Sequence, residues 1–124
     1  MKKRLVLLAL VATAANAQVQ TYTYSKGQNV KALIHPYARN GDVGRTTGMF
    51  HNYRPEFLPG GKHPSVTCQL VLSPKDHVIE PGNTEEAILL CNEALTLQGK
   101  EQKYAITEGG RLVGEATFMW PTPD

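Results

Sequence analysis

Tryptophan occurs once in this chain of 124 residues, cysteine twice, and charged residues make up only 19% of it. Each scarcity excludes something. Two cysteines, Cys68 and Cys91, do not make a zinc signature. No cysteine follows the apolar N-terminal run, so there is no lipoprotein attachment signal. No serine sits in a G-x-S-x-G elbow. No G-x-x-x-x-G-K-[ST] loop is present to cradle phosphates. Gly60-Gly61-Lys62-His63 lacks the first glycine, which falls at Glu56, and the hydroxyl residue, which falls at His63. GTP binding is thereby excluded on chemical grounds, and no cofactor is expected. No repeat, linker or low-complexity segment interrupts the chain, whose length suits a single domain.

The first residues carry their own message. Lys2, Lys3 and Arg4 precede an apolar run from Leu5 to Ala12 that is too short to span a bilayer, and Ala15-Asn16-Ala17 is an A-x-A cleavage site. Residues 1–17 are therefore expected to be a signal peptide, with the mature chain starting at Gln18 in the periplasm or outside the cell. That segment holds three of the 13 basic residues and no acidic one. The remainder carries ten basic against 11 acidic side chains, a net charge of −1. A near-neutral chain lacks the electrostatic footprint of a general nucleic-acid binder. Export also permits a disulfide. Each cysteine lies in an apolar run, VTCQLVL and AILLCNEAL, where a free thiol also packs as a small hydrophobe. Bonded and free cysteines are both open at this point.

What is there reads as strands. Tyr104 to Phe118, YAITEGGRLVGEATF, places Tyr104, Ile106, Leu112, Gly114, Ala116 and Phe118 at alternate positions around Gly109-Gly110. That is a hairpin with one apolar face per strand and a two-residue turn of positive φ. Residues 18–28 suit an N-terminal arm or edge strand. Val30, Ala32 and Ile34 alternate into the next strand, Thr47–Tyr53 suits another, and Val66–Leu72 and Val78–Ile79 follow. Leu58–Pro64 reads as a loop dense in Pro and Gly. Glu85–Leu97 has helix-forming composition, but the strand signals around it favour a bulged strand that a sheet would bury. Residues 121–124 are a tail. Short strands with turn signals at regular spacing predict an all-β barrel or sandwich.

The order of the motifs carries a resemblance. Gly44-Arg45-Thr46-Thr47, Tyr53-Arg54-Pro55-Glu56-Phe57, Val66-Thr67, Pro81-Gly82-Asn83 and Tyr104–Gly114 succeed one another. In this order they resemble the C-terminal barrel domain of elongation factor Tu, over roughly Asn29 to Met119. The resemblance implies that residues 29–120 form a six-stranded antiparallel closed barrel. It implies partner-binding residues at Arg45, Arg54, Glu56, Thr67, Glu108, Gly109 and Arg111. In the family this barrel touches aminoacyl-tRNA, and Arg45, Thr67 and Gly109 match residues on that side. The sequence departs from the family at Thr46, where a histidine is usual, and at Glu56, where a glutamine is usual. A carboxylate repels phosphate. Neither tRNA nor GTP is an expected partner, whereas another protein is. Oligomeric state is open.

Local chemistry offers alternatives. Glu108 and Arg111 flank the turn as a surface pair or as an anchor for a partner's carboxylate. Arg54 suits either a partner contact or a brace to backbone carbonyls. Tyr22, Tyr24, Tyr37 and Trp120 form an aromatic patch if exposed, and otherwise pack on the core or rim. His35, His51, His63 and His77 lie on four different segments and do not read as a metal site. The leading expectation is an exported, non-enzymatic protein-binding module, in one form a decoy of the factor's surface. An RNA- or tRNA-binding protein linked to translation, and a small hydrolase or metal-dependent enzyme, are the rival classes.

Overall fold

A computed structural model of the chain describes residues 20–60 and 64–121. The expected signal peptide, the first residues of the arm, Gly61–His63 and most of the tail lie outside the described residues. In chain order the strands are β1 (Thr21–Tyr24), β2 (Asn29–Pro36), β3 (Met49–Phe50), β4 (Glu56–Pro59) and β5 (Val66–Val71). They continue with β6 (Val78–Ile79), β7 (Glu85–Cys91), β8 (Leu95–Gln98), β9 (Glu101–Glu108) and β10 (Arg111–Met119). Six of them close a barrel in the order β10-β2-β7-β5-β4-β9, and every neighbouring pair is antiparallel. The remaining four form two ribbons, β1-β8 and β3-β6.

Alternation places the core. Val30, Ala32 and Ile34 of β2, Cys68 and Leu70 of β5, and Ala87 and Leu89 of β7 all point inward and are buried. Phe118 fills the centre, with ring centroids 4.5 Å from Tyr104 and 5.7 Å from Phe57. Tyr24, Leu95 and Leu97 of the β1-β8 ribbon add to this core. Burying an aromatic or aliphatic side chain stabilises by roughly 1.5–3 kcal/mol, which is what the strands gain by closing. Cys68 and Cys91 sit directly opposite each other on β5 and β7 and are disulfide-bonded. At a sequence separation of 23, such a bridge constrains the unfolded chain by about 3 kcal/mol in the chain-entropy model.

The structure corrects the sequence reading in four places. Glu85–Leu97 is extended, not helical, but it is two strands in different sheets rather than one bulged strand. The chain turns at Asn92, whose N–H donates to Thr67 O (3.0 Å). The strand expected over Thr47–Tyr53 shrinks to Met49–Phe50. Asn52 has φ of 74° and Tyr53 N–H donates back to Phe50 O (3.1 Å), so the chain turns there. Glu56–Pro59, half of which reads as loop, is a barrel strand between β5 and β9. Lastly, a bulge between Leu112 and Gly114 breaks the alternation of β10. It buries Val113 completely and leaves Leu112 exposed. An extra residue in one strand shifts which face each neighbour takes.

The Gly109-Gly110 turn has φ of 59° and 83°, as a type I′ hairpin requires. A Cβ added at either glycine meets no atom within 4 Å. Gly110→Val is therefore opposed by backbone strain alone and is expected to destabilise by roughly 1–3 kcal/mol. A thermal melt checks it, and a variant that melts like the parent contradicts the turn conformation.

Candidate partner-binding rim

Four segments meet at the hairpin turn. The β10 bulge turns two carbonyls outward: Tyr37 N–H donates to Val113 O and Gly44 N–H donates to Leu112 O, both at 2.9 Å. Arg45 N–H donates to Tyr37 O (2.9 Å). The loop from Tyr37 to Gly48 is thereby stitched to the start of β10, and the Arg45 side chain is carried to the end of β9.

Arg45 is buried, and all five of its guanidinium donors are used. Nε donates to Thr47 O (3.1 Å). One terminal nitrogen donates to Tyr53 Oη (3.1 Å) and to Glu108 Oε2. The other donates to Thr47 Oγ1 and Gly48 O, both at 3.3 Å. Its Cζ also lies 4.6 Å from the centre of the Tyr53 ring. Tyr53 Oη donates to the same Glu108 oxygen at 2.6 Å. That hydrogen bond, helped by the charges of Arg45 and Arg111 and opposed by burial, holds the Glu108 carboxyl below its ordinary pKa. Burial, then the Glu108 hydrogen bond, pushes the Tyr53 hydroxyl far above its usual range. Tyr53 stays a neutral donor and Glu108 an anion.

Arg111 differs from Arg45. It donates to Gly44 O and to Glu108 Oε1 (3.4 Å), which leaves three donors without a partner among the described residues, on a side chain that is 30% exposed. Exposed apolar groups adjoin this charge. Leu112 follows it in β10, and Val43 precedes the Gly44 that it contacts. Phe50, also exposed, packs tilted against Tyr53 with ring centroids 5.7 Å apart.

Of the seven residues expected to bind a partner, the structure brings Arg45, Glu108, Gly109 and Arg111 into one cluster. Glu56 and Thr67 face each other across β4 and β5, and Glu56 also faces Thr107 on β9. Ser65 Oγ donates to the Glu56 carboxylate (2.9 Å). Arg54 stands apart. It donates to the Gln69 side chain (3.3 Å), which in turn donates to Asn52, so it braces a side chain and not the backbone carbonyls expected. Arg45 is an internal brace here: it is buried and its donors are all used within the chain. Glu108 is shared between two arginines, so its bond to Arg111 is more than an isolated surface pair. Tyr53, which organises the cluster, is missing from the expected set. Its place in the Tyr53-Arg54-Pro55 motif is the sequence signal that marks it.

The aromatic patch does not form on the surface: Tyr24 is buried, and Tyr22 and Trp120 pack on the core. His35 bonds Thr84, His51 accepts from Leu72 N–H, and His77 pairs with Glu85, while His63 lies outside the described residues. Among the described residues no group of three His, Cys, Asp or Glu side chains is placed to hold a metal, and no helix is long and apolar enough to cross a membrane. No protein-family model matches the chain.

Proposed function

We propose that the mature chain is an exported, non-enzymatic module that binds another protein through the Gly109-Gly110 rim. The scaffold is of the elongation factor Tu C-terminal-domain kind, and one form of this function is a decoy of that factor's surface. The carrying observation is the contrast between the two arginines. Arg45 is spent internally, whereas Arg111 keeps three donors without a partner among the described residues, next to exposed Leu112 and Val43, with exposed Phe50 against Tyr53 of the same cluster. An arginine fixed at one end and flanked by apolar surface is the kind of group that anchors protein interfaces, through bidentate bonds to a carboxylate. The hairpin and rim motifs that carry the resemblance lie in this same region, and the N-terminal leader pattern supports export.

Pull-down of partners from envelope and culture-fluid extracts, followed by affinity measurement on the purified pair, tests this reading. Arg111→Ala is expected to weaken capture at least about tenfold, at the low end for a truncated interface hot spot. Its stability should fall by no more than about 1 kcal/mol, since the ion pair of Arg111 with Glu108 is partly exposed on both sides. Tight binding of aminoacyl-tRNA that falls steeply with salt would replace the protein partner with a nucleic acid.

A further inference from the structure

A closed barrel has no strand edges, so the open edges belong to the ribbons. In the β1-β8 ribbon the bonding pattern follows from one contact. Gly99 N–H donates to Gln20 O at 2.7 Å, in the same register that pairs Tyr22 with Leu97 and Tyr24 with Leu95. Antiparallel pairs alternate between bonded and non-bonded positions. Tyr22 and Tyr24 therefore bond β8, while Thr21 and Thr23 aim their N–H and C=O groups away from it. The side chains agree, since the opposed hydroxyls of Thr23 and Thr96 lie 2.9 Å apart.

The two edges of the ribbon are treated differently. On β8, Gln98 N–H is capped by the Gln102 side-chain oxygen (2.9 Å), and the hollow beyond it is walled by Pro59 and Pro64. On β1, the outward groups of Thr21 and Thr23 have no partner among the described residues. The devices that protect edges are lysine, proline, bulges and inward charges. No lysine, proline or charge occurs from Gln18 to Tyr24, QVQTYTY, and among the described residues β1 pairs β8 without a bulge.

We propose that β1 is a self-association edge and that its occupant is β1 of a second copy of this chain. Pairing is antiparallel about a two-fold axis through Tyr22. Thr21 then faces Thr23 of the partner subunit, and both outward residues of each copy exchange both of their backbone bonds. The result is a four-stranded sheet in which the two β1 strands lie between the two β8 strands. A two-fold interface sets the same patch against itself, so it must be self-complementary, and an uncharged threonine edge meets that condition without like-charge repulsion. The ribbon lies where β9 begins and β10 ends, whereas the rim lies at their shared turn. Dimerisation thus leaves Arg111 accessible on both copies, and two linked sites raise avidity without a new contact.

Sedimentation velocity of the purified protein over a concentration series tests the proposal, with backbone amide exchange as a second readout. A concentration-dependent dimer is expected. Amides of Thr21 and Thr23 should gain protection as it forms, while those of Tyr22 and Tyr24 should not change. Thr23→Pro removes an outward N–H and the hydroxyl contact with Thr96 but spares the backbone bonds to β8, and it should abolish the dimer with the monomer still folded. Thr21→Lys with Thr23→Lys brings like charges together and should do the same without any backbone change. A parent that stays monomeric at its highest soluble concentration overturns the proposal. So does a dimer that survives both variants, or one that leaves Thr21 and Thr23 exchanging freely.

Discussion

Replacing Arg45 with alanine is expected to destabilise the protein by about 2–3 kcal/mol, since Arg45 is buried and donates to several acceptors while its ion-pair partner Glu108 stays partly exposed. Three losses combine. Thr47, Gly48 and Tyr53 lose their donor, Glu108 keeps a single cation, and the loop from Tyr37 to Gly48 loses its tether to β9. Arg45→Lys should recover less than half, because one ammonium cannot satisfy acceptors spread around a planar fork. Urea denaturation reads both variants. The same cluster makes stability depend on pH. The folded Glu108 carboxyl is held below its ordinary value of 4.5. Its contribution is therefore present above that value and is lost as pH falls through the lower folded one. Glu108 is 39% exposed, so solvent screens part of the effect. The acid limb of the stability curve should flatten in Arg45→Ala. An unchanged limb would show that Glu108 is not held by Arg45.

Gly44→Ala is expected to cost at least about 3 kcal/mol, combining positive-φ strain with overpacking against rigid atoms. Gly44 has φ of 89°, and a Cβ there would overlap Ala38 O while lying 2.6 Å from Ala38 C and 2.8 Å from Tyr37 O. These are backbone atoms in a loop pinned on both sides by hydrogen bonds to β10, so little relief is available. The comparison with Gly110→Ala isolates the packing contribution. Both glycines have positive φ, but the space beside Gly110 is empty. Thermal melts should place Gly44→Ala well below Gly110→Ala. Equal melting would mean that the loop yields and that the rim is softer than its bonding indicates.

Some of this architecture is legible in the residues alone. Val30, Ala32 and Ile34 alternate because β2 has one wet and one dry face, and the pattern survives in the structure unchanged. The Gly109-Gly110 pair announces its turn because few other residues accept two successive positive φ values. β4 escapes notice for the opposite reason. Pro55 and Pro59 bracket it and suggest loop, yet Pro59 ends the strand, where its missing N–H costs nothing. The bulge at Val113 is equally silent, since Leu112 and Val113 are both apolar and either could face inward. Of the rim, Glu108, Gly109 and Arg111 are neighbours in the chain and can be named together. That Arg45 joins them across a separation of 63 residues has no local signature.

The sequence by itself determined the all-β class, the periodicity of the barrel strands, the hairpin and its turn, because these depend on side-chain alternation and on φ at single residues. The tertiary structure alone decided the placement of the bulge and the opposing of Cys68 and Cys91 on neighbouring strands. It also decided which of two arginines is consumed and which is free, and which of two ribbon edges is guarded. Each of those turns on which distant group fills a given hydrogen bond or cavity, and no stretch of neighbouring residues encodes that choice.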